Sequence, residues 1–238
     1  MYTLSLSDLL FAFIPVVMVL AVMVYQSLQY KTALYALARM LLQLLLIGYF
    51  LIYIFQAQSS WIVLLTLSVM LLAAGWIALR TVAAQRKALY LKALLSIALG
   101  GGLTLILVTQ VVIGLTPWYE PSYMIPLAGM IFANAMTAIS QAAERYETAR
   151  AGGLSYEQAS AEAYNTALIP VINGLFAVGL VSLPGMMTGQ ILSGVSPLIA
   201  ARYQIMVMAM IFGASGLSVL LFLRLIKESY SAKRGDDA

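Results

Sequence analysis

Five carboxamides interrupt the apolar runs of this 238-residue chain: Gln43, Asn134, Gln141, Asn173 and Gln190. An amide placed in hydrocarbon without a partner costs free energy, so each must bond a neighbouring helix or line a polar path. For any one of them inter-helix bonding is the plainer account; for the five together we expect one or two to face a pathway. A second group is charged: Glu144, Arg145, Glu147, Arg150 and Glu157, with Gly153 among them, fall in the stretch Glu144–Glu162. A third group breaks helices or thins them. Pro184 cannot donate a backbone N–H, and Gly185, Gly189 and Ser193 form a small-xxx-small ladder on which two helix backbones can approach closely. Residues 183–185 therefore read as a hinge or a re-entrant turn.

Several chemistries are excluded. The chain has no cysteine and no histidine, which removes thiolate nucleophiles, Ser-His-Asp triads and the usual zinc sites. No GxxxxGK[ST] loop is present, so nucleotide is not bound here by a P-loop. Met186 and Met187 offer thioether sulfur, but a soft-metal site would want more ligands. Asp8 and Glu120 are the carboxylates nearest one membrane face; no metal cage is readable and the metal ligands stay unknown.

The elements that carry these residues are membrane spans. Apolar residues make up 63% of the chain and charged ones 9%, against roughly a quarter charged in soluble domains. About 20 residues of helix cross a hydrocarbon core of roughly 30 Å. Seven runs qualify: Asp8–Tyr25, Met40–Phe55, Trp61–Leu79, Ala93–Leu115, Tyr123–Ser140, Val171–Leu192 and Tyr203–Leu225. The expected fold is all-α, one polytopic transmembrane domain over residues 1–238. The N-terminus lacks a basic n-region, so the first run reads as retained rather than cleaved.

Charge alternates between the connections. Lys31, Arg39, Arg80, Arg86, Lys87, Lys92, Arg145, Arg150, Arg224, Lys227, Lys233 and Arg234 fall on one side; Arg202 is alone on the other. The positive-inside rule puts the N-terminus outside and the C-terminus in the cytoplasm. Trp61, Trp118 and Tyr119 at the expected outer boundaries agree with this.

The connection at residues 142–170 differs from a plain turn. Gly152-Gly153 breaks one helical stretch, and Ser155 with Gln158 three residues on has the form of a capping box. Alanines interrupted by Glu157, Glu162 and Tyr164 suit a short surface helix. Such a helix is either a solvated connector or a docking element that takes a push from a cytoplasmic partner. The loop Arg80–Lys92 is a second candidate contact, although basic residues beside a membrane also serve as topology or lipid signals.

Two resemblances bear on this stretch. Glu147-Thr148-Ala149, then Gly153, then Leu168-Ile169-Pro170 is similar to the coupling loop of ABC importer membrane subunits, with about one more helical turn between glycine and proline. The segments IPLAGMIFANAMTAISQAAERY (Ile125–Tyr146) and LVSLPGMMTGQILSGVSPLIAARYQI (Leu180–Ile205) resemble the FetB/YbbM-type family of metal-export permeases, which includes plant aluminium-tolerance proteins; ARMLLQLLLIGYFL (Ala38–Leu51) extends the match.

The resemblance implies the membrane half of an ABC transporter, exporting iron or a related metal. ATP and Mg would be bound by a separate cytoplasmic ATPase, with no cofactor in this chain and no nucleic acid. Two copies would form the pathway as a homodimer in the cell (inner) membrane. Glu144, Arg145, Glu147, Arg150, Gly153 and Glu157 would then serve coupling to the ATPase, and the fifth and sixth helices would line the path. Two other classes stay open: an ATPase-independent secondary transporter or channel, and a membrane scaffold. Against the first, no acidic residue lies inside an expected span and no inverted repeat is evident. An enzyme is disfavoured, because the helices hold no acid–base pair.

Overall fold

The computed structural model describes residues 6–56 and 59–235; the side chains of residues 6, 7 and 228–235 lie outside that description, Lys233 and Arg234 among them. The described backbone is helical with no strand, an all-α polytopic membrane protein. Its contacts fall into two compact units, residues 1–57 and 58–238.

The first unit holds α1 (Leu6–Ala12), α2 (Ile14–Tyr25) and α3 (Tyr30–Phe55). The α1–α2 break falls at Phe13, where Pro15 cannot give the Phe11 carbonyl its helical N–H. Ser27, at φ 53°, turns the chain from α2 towards α3. No residue of α2 or α3 is buried, so both helices present apolar surface on all sides. In water such surface would be costly; against lipid it is not. Gln43 sits exposed on α3.

The second unit is a bundle. Its members are α4 (Ser60–Ala78), a long helix made of α5 (Arg86–Ser96) and α6 (Gly102–Ile106) joined and followed by π-helical turns, then α7 (Pro121–Ala151), α8 (Tyr156–Ala177), α9 (Gly185–Leu192) and α10 (Pro197–Gly235). The π-helical turns cover Ile97–Gly101 and Leu107–Ile113.

Helix α7 is central and touches α4, α8, α10 and the first π-helical turn. Its buried residues include Ala128, Ile131, Ala135, Ala138, Ile139, Ala142, Ala143 and Ala149. Alanines at these spacings let neighbouring backbones come close, which is how helices associate where lipid supplies no hydrophobic drive. Glycine does the same for the π-helical turn. A Cβ on Gly100 would sit 2.6 Å from Ser218 Oγ and 2.7 Å from its backbone nitrogen, and one on Gly101 would sit 2.8 Å from Ile131.

Among the described residues six helices are long and apolar enough to cross a membrane: Asp8–Tyr25, Tyr30–Phe55, Ser60–Ala78, Ala83–Ile113, Pro121–Ala151 and Pro197–Lys227. The sixth expected run, Val171–Leu192, is not one helix. Val171 continues α8, which starts at Tyr156 and ends at Ala177. Residues 178–184 are non-helical, with Gly179 at φ 84°, and Pro184 caps the short α9. Hydropathy averages over this break because its residues are as apolar as their neighbours.

The chain still returns along α8. The Tyr156 hydroxyl donates to the Leu223 carbonyl at 2.8 Å, so the start of α8 lies beside the end of α10. At the other end Leu175 and Val178 share a pocket with Ala201 and Gln204. Helices α8 and α10 are therefore antiparallel. The 22 residues of α8 rise about 33 Å, comparable to a hydrocarbon core.

Candidate functional site

The charged stretch is the tip of a helical hairpin rather than a separate surface helix. Helix α7 runs on to Ala151 and α8 begins at Tyr156, leaving a turn of residues 152–155. Gly153 takes φ 86°, a conformation that costs glycine nothing and a residue with a Cβ about 1 kcal/mol or more. The Ser155–Gln158 capping box forms: the Gln158 N–H donates to Ser155 Oγ at 3.2 Å and the Ser155 N–H to Gln158 Oε1 at 3.1 Å. The alanines of α8 are not a surface feature. Ala159, Ala163 and Ala167, four residues apart, are its buried seam.

The tip is braced on three sides. Between its arms, Arg145 Nη2 meets Glu162 Oε2 at 2.6 Å. Towards the loop after α4, Gln85 Nε2 donates to Glu147 Oε2 at 2.8 Å. Towards α10, the Lys227 ammonium lies 3.8 Å from Glu157 and 4.8 Å from the centre of the Tyr156 ring. Buried Tyr146 packs edge-on against Tyr156, with ring centres 6.1 Å apart. Arg150 Nη1 closes the turn on the Leu154 carbonyl at 2.6 Å.

Of the residues assigned to this surface, Arg145, Glu147, Arg150 and Glu157 are thus held within the chain. Glu144 is exposed, and its carboxylate has no ion pair or hydrogen bond among the described residues. Glu157, fully exposed, has its carboxyl held below the usual glutamate value. The main cause is a hydrogen bond from its own backbone N–H at the helix start, helped by Ser155, Lys227 and Arg150 against a small desolvation.

The loop Arg80–Lys92 joins this surface through Gln85. Arg86 turns back instead: its Nη2 reaches the Trp76 carbonyl at 2.6 Å, and its guanidinium stacks 3.8 Å from the indole centre. It thereby caps the C-terminus of α4.

The five carboxamides separate. Asn134 on α7 is half-buried and gives its Nδ2 to the Met130 carbonyl of its own helix at 2.8 Å. Gln43 and Asn173 are exposed. Gln141 and Gln190 each bury an Oε1 that finds no protein donor. Gln141 lines a polar cavity of about 510 Å³ with Glu144, Arg145, Thr148, Thr166 and Pro170, between α7 and α8. A residue first read as pathway, Gln141, and two first read as docking, Glu144 and Arg145, therefore share one cavity. Pro170, inside α8, has no N–H for the Thr166 carbonyl, which adds an acceptor to that wall.

Gln204 belongs with the five: an amide inside an apolar run, 6% exposed, with an unpartnered Oε1. It lines an apolar cavity of about 490 Å³ with Leu175, Met187, Met208 and Phe212. Its sequence signal was as plain as theirs. Gln85 gave no such signal, because only the fold brings it to Glu147.

The small-residue ladder is not used within the chain. A Cβ on Gly185 or Gly189 would meet nothing within 4 Å, so among the described residues no helix packs on the glycine face there. The close approach is at Gly100 and Gly101, which the sequence reading passed over. Among the described residues no group of three or more His, Cys, Asp or Glu could hold a metal ion.

Comparison with known proteins follows the same lines. The model of a family described as "Uncharacterised protein family (UPF0014)" matches residues 6–230. The chain is 37% identical over 207 residues to a UPF0014 membrane protein of Synechocystis, covering 81% of this chain and 80% of that one. It is 37% identical over 214 residues to the Arabidopsis thaliana protein ALUMINUM SENSITIVE 3, covering 83% and 77%. It is 32% identical over 201 residues to the probable iron export permease protein FetB of Escherichia coli, covering 78% and 76%. No solved structure matches.

Proposed function

The chain belongs to the UPF0014 family of membrane proteins, and from that premise we propose that it is the permease subunit of an ABC-type transporter. It moves iron or a related metal species out of the cytoplasm, two copies forming the path, with ATP hydrolysed on a separate cytoplasmic subunit. Its similarity to a probable iron export permease supports the substrate and direction. The observation that carries the coupling is the braced hairpin tip. A force applied to an isolated surface helix would be lost in its linkers. The tip of α7 and α8 has no linkers: it is the end of two helices that reach the bundle core, tied to the loop after α4 by Gln85–Glu147 and to α10 by Glu157–Lys227. A push at residues 150–156 would therefore reach Gln141, Asn134 and the Thr166–Pro170 wall as rigid-body motion.

The test is reconstitution of the purified chain in lipid with its candidate cytoplasmic ABC ATPase. We expect stable association and hydrolysis that responds to iron. Glu144→Lys at the free acid of the tip should lower association or coupled hydrolysis about tenfold or more, the scale of losing one desolvated charge contact. If no ATPase associates and hydrolysis is unchanged, this reading fails, and a secondary transporter or a scaffold takes its place.

A further inference from the structure

Beside the hairpin, on the face away from the Gln141 cavity, α8 and α10 enclose a second pocket of about 360 Å³, with a few polar groups set in a mostly apolar wall. Tyr156, Ser160, Tyr164 and Asn165 line it from α8, and Leu220, Leu223 and Arg224 from α10. Its chemistry is one-sided. Arg224, Asn165, Tyr164 and Ser160 can all donate hydrogen bonds, and no Asp or Glu is in the wall. Ser160 Oγ is buried without a partner. No ion pair engages the Arg224 guanidinium among the described residues, and Glu157 at the start of α8 pairs with Lys227. Tyr156 is occupied as well, its hydroxyl donating to the Leu223 carbonyl.

Position narrows the ligand. Arg224 lies three residues before the end of the apolar span Pro197–Lys227, level with the start of α8. That is where a long basic side chain reaches the polar edge of a bilayer. A guanidinium fork with hydroxyl and amide donors matches the oxygens of a phosphate. Basic pockets between helices at a membrane surface bind lipid head groups.

We propose that this pocket binds the phosphate of an anionic membrane lipid, which bridges Arg224 of α10 to Ser160, Tyr164 and Asn165 of α8. The lipid would then brace the second arm of the hairpin from outside, adding to the Tyr156 hydrogen bond, the Glu157–Lys227 pair and the Lys227–Tyr156 ring contact. The site does not depend on the transport reading, since binding needs neither ATPase nor metal.

The experiment uses the purified full chain, exchanged from mixed vesicles of phosphatidylglycerol and phosphatidylcholine into detergent. Retained lipid is counted by native mass spectrometry. The wild type should retain phosphatidylglycerol over phosphatidylcholine. Arg224→Gln should reduce that preference about fivefold, the effect of one basic residue at an anionic surface. Arg224→Lys should keep part of it, having the charge without the fork. Lys87→Gln, at another exposed basic residue, in the first turn of α5, should leave it unchanged. Equal loss in Arg224→Gln and Lys87→Gln would mean diffuse surface charge and overturn the site. So would a preference that Arg224→Gln leaves intact. Inorganic phosphate is the remaining arm: Arg224-dependent stabilisation of the chain by phosphate, with no phosphatidylglycerol preference, would overturn the lipid and assign the pocket to a soluble phosphate. Variants are compared only where they elute as the wild type does, which the exposed position of residue 224 favours.

Discussion

Glu157 shows how much a single exposed acid is asked to do at the hairpin tip. It belongs to the first turn of α8, where free N–H groups and the helix dipole favour a negative charge. Its carboxyl titrates below the ordinary glutamate value for that reason first, and because of Ser155, Lys227 and Arg150 second. A carboxyl depressed in the folded state adds stability that is present above its unfolded value and lost as pH falls through the lowered folded value. Acidification across that window should therefore loosen the start of α8. Hydrogen exchange at residues 156–159, corrected for the intrinsic rate, should rise in the wild type and show no such step in Glu157→Gln. A flat wild-type profile would mean that the tip is held by Tyr156 and Arg145 alone.

At the scale of the element, the π-helical turn Ile97–Gly101 is where α10 and α7 come closest to the long α5–α6 helix. A π-helical turn widens the helix by one residue and re-aims the faces after it, which is why such turns mark sites under constraint. Gly100 meets the backbone of Ser218, and Gly101 meets Ile131. Gly100→Ala should cost about 1–3 kcal/mol, the usual penalty of over-filling a packed interior. Thermal unfolding in detergent would read it as a lowered midpoint. Gly102→Ala is the control, because its Cβ would meet nothing within 4 Å, and it should be neutral or slightly stabilising. Ser218→Ala should not rescue Gly100→Ala, since the Ser218 backbone nitrogen is itself 2.7 Å from the added carbon. Equal behaviour of the two glycine variants would show that the helices are not in contact there.

For the whole molecule the governing quantity is the side on which each connection lies. Helix α7, which follows Glu120 and ends at the tip, and the antiparallel return along α8 set the hairpin tip and the end of α10 on one side, and the loop holding Glu120 on the other. We propose that this side is cytoplasmic, because Arg145, Arg150, Arg224 and Lys227 lie at it and the positive-inside rule favours that face for basic residues. The chain has no cysteine, so introduced ones report cleanly. Glu120→Cys should react with a membrane-impermeant maleimide on intact cells, and Glu144→Cys only after lysis. The opposite pattern would invert the topology and remove Glu144 from any cytoplasmic partner.

The sequence by itself determined the class of the protein, because transfer of apolar residues from water dominates and needs no partner to be counted. It also located the six spans found among the described residues, the first and third to within a residue at both ends; the second and fourth were started ten residues late, the fifth was ended eleven residues early and the last was started six residues late. The capping box at Ser155 and the break at Gly152-Gly153 were legible too, since both act through the backbone within four residues. What depends on neighbours was not. Val171 continues a polar helix rather than opening an apolar one, a matter of where the backbone bonds run and not of hydropathy. The alanines of α8 read as surface until α7 covered them. Gln85 against Glu147, Gly100 against Ser218 and Arg224 beside Ser160 are pairs 62, 118 and 64 residues apart in the chain. Only tertiary structure brings such residues together, because the free energy that joins them comes from burying whole helices and not from the residues themselves.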